Sequence, residues 1–205
     1  MIGILAVGLG NIGSLNSAIY NLGFNTKLVS SINDFDEISH LVLPGVGNYS
    51  AAANDLKKRK LFDRIVEHAS IGKPIMGICL GMQLLSTSSE EGSFSEGLNL
   101  IPGKVVKIPQ TKNLRVPHMG WNDIQMTQEH PIFEGVRQGV DFYFVHSYYF
   151  QPDRNEATIG IVDYGSSITA AVGLKNIIGT QFHPEKSQKN GLKIIENFCF
   201  WDGKC

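Results

Sequence analysis

Cysteine is scarce in this sequence. Among 205 residues there are three, Cys79, Cys199 and Cys205, an odd number, widely spaced and with no C-x-x-C pair. That excludes a disulfide framework and a thiolate zinc site, and reduced thiols fit a cytoplasmic protein. A basic excess is also missing: 18 Lys and Arg stand against 19 Asp and Glu, a net charge of −1, whereas a nucleic-acid-binding domain gathers positive charge on one face. The densest basic run, Lys57-Lys58-Arg59-Lys60, sits beside Asp55 and Asp63 on an expected helix and reads as a solvated face. No apolar run is long enough to span a bilayer. Residues 1–9 are apolar, but no Lys or Arg precedes them and glycines interrupt them, so they read as a strand rather than a signal peptide. Internal repeats are lacking too.

What is present suffices for one well-buried core: 42% of the residues are hydrophobic, and the length suits a single domain over 1–205. The first half alternates short apolar runs with helical spacing. Strands are expected at 2–7, 26–31, 41–43 and 74–78, and helices at 12–22, 50–69 and from 80 onward. Such alternation predicts an α/β fold with a mostly parallel central sheet flanked by helices. The second half adds strands at 105–108, 121–124, 142–145, 169–174 and 177–182, joined by turns, before a helix over 192–200. Here antiparallel strands are expected. The polar stretch 86–97 reads as an exposed loop.

Two short motifs invite chemistry. Gly8-Leu9-Gly10-Asn11-Ile12-Gly13 matches G-x-G-x-x-G between a strand and a helix, the setting of a dinucleotide site. The acidic residue that should close the second strand is absent, since that strand ends Leu28-Val29-Ser30-Ser31 and Asp34 lies beyond it. A tight strand-to-helix turn is the better reading, and no cofactor is expected. Gly77-Ile78-Cys79-Leu80-Gly81 has the form of a nucleophile elbow with Cys in place of Ser. A sharp turn would lift Cys79 above the sheet edge. The N-terminus of the following helix would favour its thiolate, and the Leu80 N–H would be an oxyanion donor. A buried structural cysteine is the competing reading, and it is the one we assign to Cys199, which lies in an apolar helical stripe.

A nucleophilic thiol needs a base, and the base an orienting acid. Gln181-Phe182-His183-Pro184-Glu185 offers both, two residues apart at the end of a strand. His40 and His68 flank elements and are expected at the surface; His130 stands in a polar turn. His118 and His146 lie in aromatic-rich segments and would either line a pocket or be satisfied core histidines. A zinc site of His118, His146 and His183 would need three ligands converging in space, and no metal is expected.

Gly77 to Leu85 (GICLGMQLL) and Gln181 to Glu185 (QFHPE) resemble the class I glutamine amidotransferases. Pro44-Gly45-Val46-Gly47, Pro117 to Asn122 (PHMGWN), Tyr143 to Tyr148 (YFVHSY) and His183 to Gln188 (HPEKSQ) narrow the resemblance to the glutaminase subunits of histidine biosynthesis. The similarity covers essentially the whole chain, and Gly8 to Ile12 resembles the family's first turn. The resemblance implies a Cys79, His183, Glu185 triad that hydrolyses L-glutamine. It implies an oxyanion hole from Leu80 and from Val46 and Gly47, and substrate contacts at Gly45, Gln83, Ser147 and Tyr148. It also implies a (β/α)8-barrel cyclase as partner in a heterodimer, receiving ammonia to make imidazole glycerol phosphate and aminoimidazole carboxamide ribotide. Asn11, Pro117, Met119, Trp121 and Lys186 would face that partner, although Trp121 could equally be a core aromatic. Two alternatives stand beside this expectation: a paralogous glutaminase feeding a different synthetase, for instance in surface-sugar amidination, and a non-catalytic nucleotide-binding protein.

Overall fold

The computed structural model describes residues 1–7, 12–92, 94–110 and 114–204. In chain order the strands are β1 (Ile2–Leu5), β2 (Thr26–Val29), β3 (His40–Leu43), β4 (Ile75–Ile78), β5 (Ser88–Ser89), β6 (Ser95–Glu96) and β7 (Gly103–Lys107). They continue with β8 (His118–Asp123), β9 (Gln125–Met126), β10 (Asp141–His146), β11 (Tyr148–Pro152), β12 (Thr158–Asp163), β13 (Ser167–Leu174) and β14 (Ile177–Thr180). The helices are α1 (Ile12–Asn21), α2 (Tyr49–Lys58), α3 (Leu61–Ser70), α4 (Leu80–Leu84) and α5 (Gln188–Phe200).

The main sheet has eight strands in the order β2-β1-β3-β4-β14-β13-β12-β9. From β2 to β14 every pairing is parallel, and from β14 to β9 every pairing is antiparallel. The expected division between the two halves of the chain is therefore present. β8 and β10 form a separate antiparallel ribbon, and β11-β7-β5-β6 a small sheet.

Side-chain alternation explains why the central strands are apolar throughout. Ile2, Ile4, Val42, Met76 and Ile78 pack on one face with α1 and α5 through Leu15, Ile19, Ile194 and Phe198. Leu5, Leu41, Leu43 and Ile75 point to the other face, against α2, α3 and α4 through Leu56, Ile65 and Leu84. With helices on both faces, these strands are apolar apart from the half-buried His40 at the start of β3.

Four expectations are corrected. The helix expected over 50–69 is two helices, broken at Lys60, whose φ is +60°. The buried stripe of α2 ends at Leu56 and that of α3 begins at Leu61. Five residues on a continuous helix would leave these two about 140° apart in azimuth, so the left-handed residue returns the second stripe to the core. The stretch 86–97 is not simply exposed: it contributes β5 and β6, and Ser86 and Ser89 are fully buried. Strands β11 and β12 have no counterpart among the expected elements, because Pro152 and the Gly160 bulge interrupt their patterns. His68 is buried rather than surface, in phase with Ile65 and Ala69, with its ring edge-on to Phe35. Residues 8–11 of the glycine motif, Asn11 among them, and Cys205 lie outside the described residues. No helix among the described residues is long and apolar enough to cross a membrane.

Candidate active site

Cys79 follows β4 directly, and His183 stands three residues beyond β14. These two strands are parallel neighbours, so their ends share one edge of the sheet, where α/β folds place their sites. The Cys79 N–H donates to the Thr180 carbonyl at 2.7 Å, which ties the two strand ends together.

The expected elbow is present. Cys79 has φ 53° and ψ −108°, a sparsely populated conformation for a residue with a side chain. The neighbouring glycines permit it by close approach. A Cβ at Gly81 would overlap the Leu43 carbonyl oxygen, and one at Gly77 would stand 2.5 Å from the Gly81 carbonyl oxygen. One expectation changes. Helix α4 has only five residues, so its dipole adds less to thiolate stability than a full helix would. The polar groups around the sulfur matter more.

His183 is 2% exposed. Its main-chain N–H donates to the Tyr143 carbonyl at 2.9 Å, and its carbonyl accepts from the Ser187 hydroxyl at 2.6 Å. The short 3-10 turn Pro184–Lys186 carries Glu185 back onto the ring, with Nδ1 to Oε1 at 2.9 Å and both side chains buried. Nδ1 therefore donates and Nε2 turns toward Cys79. Burial opposes a charged imidazole, but interactions with the Cys79 sulfur and the Glu185 carboxylate outweigh it and raise the His183 pKa to about 9. Nε2 itself makes no well-aligned hydrogen bond in this resting geometry; such contacts commonly tighten when substrate arrives.

Beside the sulfur opens a cavity of about 340 Å³, at the small end for small-molecule sites. Its lining includes Cys79 and the expected residues Val46, Gly47, Leu80, Gln83, Ser147 and Tyr148. Gly45 lies behind it, and its carbonyl accepts from the Leu80 N–H at 3.4 Å. The expected oxyanion donor is thus already engaged. Glu91 also lines the cavity and is its one acidic side chain among the described residues. It is anchored by the Tyr49 N–H, which donates to Oε2 at 2.9 Å, and by the Ser50 hydroxyl, which donates to its carbonyl. Sequence reading gave Glu91 no role, since nothing in Ser89-Glu90-Glu91-Gly92 separates it from Glu90.

The two aromatic-segment histidines are a bonded pair. His118 Nδ1 and His146 Nε2 are 3.0 Å apart, and His146 Nδ1 is 2.9 Å from the Tyr148 carbonyl. Burial pushes His118 down to about 4 and His146 down to about 3, so both are neutral. Only His146 reaches the cavity. Among the described residues no group of three His, Cys, Asp or Glu is placed to hold a metal ion.

Of the described residues expected to face a partner, Pro117 lines the cavity and Met119, Trp121 and Lys186 do not. Met119 is 63% and Trp121 48% exposed, so Trp121 is a surface aromatic and not core. Its ring centroid is 5.9 Å from that of Tyr143 on the paired strand, and the exposed Lys186 places Nζ 5.7 Å from the Tyr143 ring. Together they form an exposed cation–aromatic patch next to the turn that carries Glu185.

A strained cysteine at a strand-to-helix elbow, a histidine held by a carboxylate just beyond the neighbouring strand and a small cavity at the sulfur form the arrangement that thiol-dependent acyl transfer requires. The class-I glutamine amidotransferase family profile matches residues 4–201, and the chain belongs to that family of enzymes. Its curated relatives include "Imidazole glycerol phosphate synthase subunit HisH" of Sulfurimonas denitrificans, 47% identical over 201 residues and covering 97% of each chain. The subunit of the same name from Haemophilus influenzae is 43% identical, covering 95% of this chain and 94% of its own. Solved structures with the same fold include a glutamine amidotransferase, with a TM-score of 0.73, 18% identity and coverage of 97% and 98%. Another is the Thermotoga maritima PurLQS structure, with a TM-score of 0.74, 19% identity and coverage of 97% and 96%.

Proposed function

We propose that this chain is the glutaminase subunit of an imidazole glycerol phosphate synthase in the cytoplasm. It would hydrolyse L-glutamine and pass the ammonia to a (β/α)8-barrel cyclase. The observation that carries the reading is the meeting of Cys79 and the His183–Glu185 pair, 2.9 Å apart within the pair, at the ends of two neighbouring parallel strands.

The Cys79 thiolate attacks the side-chain amide carbon of glutamine, giving a tetrahedral oxyanion. His183 protonates the leaving nitrogen as the C–N bond breaks, and ammonia departs from a thioester. His183 then takes a proton from water as it attacks the thioester, and glutamate leaves as the thiolate returns. Glu185 holds the imidazole in the tautomer these steps need. Glu91 is the counter-charge for the substrate's α-ammonium, and Gln83, Ser147 and Tyr148 bound the rest of its length.

The oxyanion hole is not yet formed in the resting geometry, because the Leu80 N–H faces the Gly45 carbonyl. The 44–48 segment must shift before that donor, joined by an N–H of Val46 or Gly47, can serve the oxyanion. One lost donor costs roughly 10²–10³ in turnover, which supports low activity in isolation. The Trp121, Tyr143 and Lys186 patch, with Met119 and Pro117, is the surface offered to the cyclase.

The test is glutamate release from glutamine by the chain alone and with the cyclase plus its ribotide substrate, beside Cys79→Ala. Strong stimulation that disappears in Cys79→Ala is expected. Cys79-dependent release with no stimulation would move the partner to a different synthetase. Release independent of Cys79 would overturn the mechanism.

A further inference from the structure

We infer that the buried side-chain amide of Gln181 is the hydrogen-bond donor that stabilises the Cys79 thiolate, and that Gln83 sets its orientation. The inference rests on Cys79 being the nucleophile.

Gln181 is fully buried, with Nε2 3.6 Å from the Cys79 sulfur and Oε1 3.1 Å from Gln83 Nε2. Gln83 Nε2 also reaches the Tyr148 carbonyl at 2.9 Å. The direction of this chain is forced by its fixed end. A main-chain carbonyl can only accept, so Gln83 must face Tyr148 with its NH₂ group, and its two protons are then spent on Tyr148 and Gln181. Gln181 therefore turns its oxygen to Gln83, which leaves its N–H pointing at the sulfur.

The same carbonyl fixes the other branch. His146 Nδ1 must donate to Tyr148, so His146 Nε2 accepts from His118 Nδ1. Burial keeps both histidines neutral, so they give the sulfur no positive charge. With α4 only five residues long, His183 and Gln181 are, among the described residues, the groups left to stabilise negative charge on sulfur. A further polar neighbour of the sulfur, the Val145 carbonyl at 3.9 Å, suits a thiol and repels a thiolate. Gln181 thus acts on the balance between the two protonation states. Because Gln83 also borders the substrate cavity, any rotation of Gln83 on substrate binding is passed directly to the nucleophile.

The test is the pH profile of Cys79 alkylation by iodoacetamide, followed by peptide mass spectrometry so that Cys199 and Cys205 do not contribute. Gln181→Met keeps the length of the side chain and removes the donor. A hydrogen bond to an ionised group corresponds to roughly one to two pKa units, so the midpoint is expected to rise by that amount. The midpoint is diagnostic rather than the rate, since thiolate nucleophilicity rises with pKa and offsets part of a rate change. Gln181→Asn withdraws the amide but keeps a polar group, and it serves if the Met variant does not fold. A rise in the Met variant, or in the Asn variant where Met does not fold, supports the assignment. The wild-type midpoint in that folded variant overturns it. The nucleophile reading is tested separately: it fails if Cys79 in the wild type alkylates no faster than Cys199.

Discussion

Replacing Glu185 by Gln removes a charge while keeping the shape and the acceptor oxygen that faces His183 Nδ1 at 2.9 Å. In the wild type, burial lowers the histidine pKa and is overcome by Cys79 and Glu185, giving about 9. Reducing a charge-assisted hydrogen bond to a neutral one corresponds to a fall of about one to two pKa units. At pH 8.5 a group with pKa 9 is about three-quarters protonated, and one at 7.5 about one-tenth, so roughly eightfold of the proton donor is lost. At pH 6.5 the same change costs almost nothing. The ratio of wild-type to Glu185→Gln glutaminase activity should therefore widen as pH rises from 6.5 to 8.5. A direct reading comes from NMR titration of the His183 imidazole, assigned by a His183→Ala variant. An unchanged midpoint together with a flat activity ratio would refute the assignment of Glu185 as the group that keeps the imidazolium charged.

Gly81→Ala should destabilise the chain by at least the ~1–3 kcal/mol of an overpacked core. The new methyl meets the backbone of Leu43 rather than a side chain that can move, and a denaturant midpoint would show it. Acid should unfold the protein sooner than its carboxylates alone predict. Burial depresses His68, His118 and His130 to about 4 and His146 to about 3, while the unfolded groups titrate near 6.5. The unfolded state thus binds more protons below pH 6.5, and this stability is present above 6.5 and lost as pH falls toward 4. His183, raised to about 9 in the folded state, works in the opposite sense near pH 7, where the unfolded ring is mostly neutral, and drops out near pH 5, where both states are protonated. Urea melts at pH 7, 6 and 5 should show an uptake approaching four protons on unfolding, and a flat series would count against the burial of these rings. Glu91→Gln should raise KM for glutamine at least tenfold with little change in kcat, measured in the stimulated complex. An unchanged KM would remove Glu91 from substrate recognition.

The sequence by itself determined the alternation of buried strands and helices, because a strand covered on both faces is apolar on both, as β1 and β4 are throughout and β3 and β14 are apart from their end residues His40 and Thr180. It also determined the elbow, since Gly77 and Gly81 flank Cys79 where any side chain would strike backbone. The pairing of His183 with Glu185 was legible for the same reason: a two-residue spacing across Pro184 is a local geometry. Tertiary structure decided what depends on contacts between distant segments. The break at Lys60 arises from packing two stripes onto one sheet, not from any breaker residue. Glu91 is distinguished from Glu90 only by the Tyr49 N–H, 42 residues away, that captures it. Trp121 is a surface residue because β8 pairs with β10 outside the main sheet. Gln181 lies within the motif that marks the histidine, but its partners, Gln83 and the sulfur, come from a strand-helix unit about a hundred residues earlier. Local spacing cannot specify such a bond, because its direction is set by the single fixed carbonyl of Tyr148.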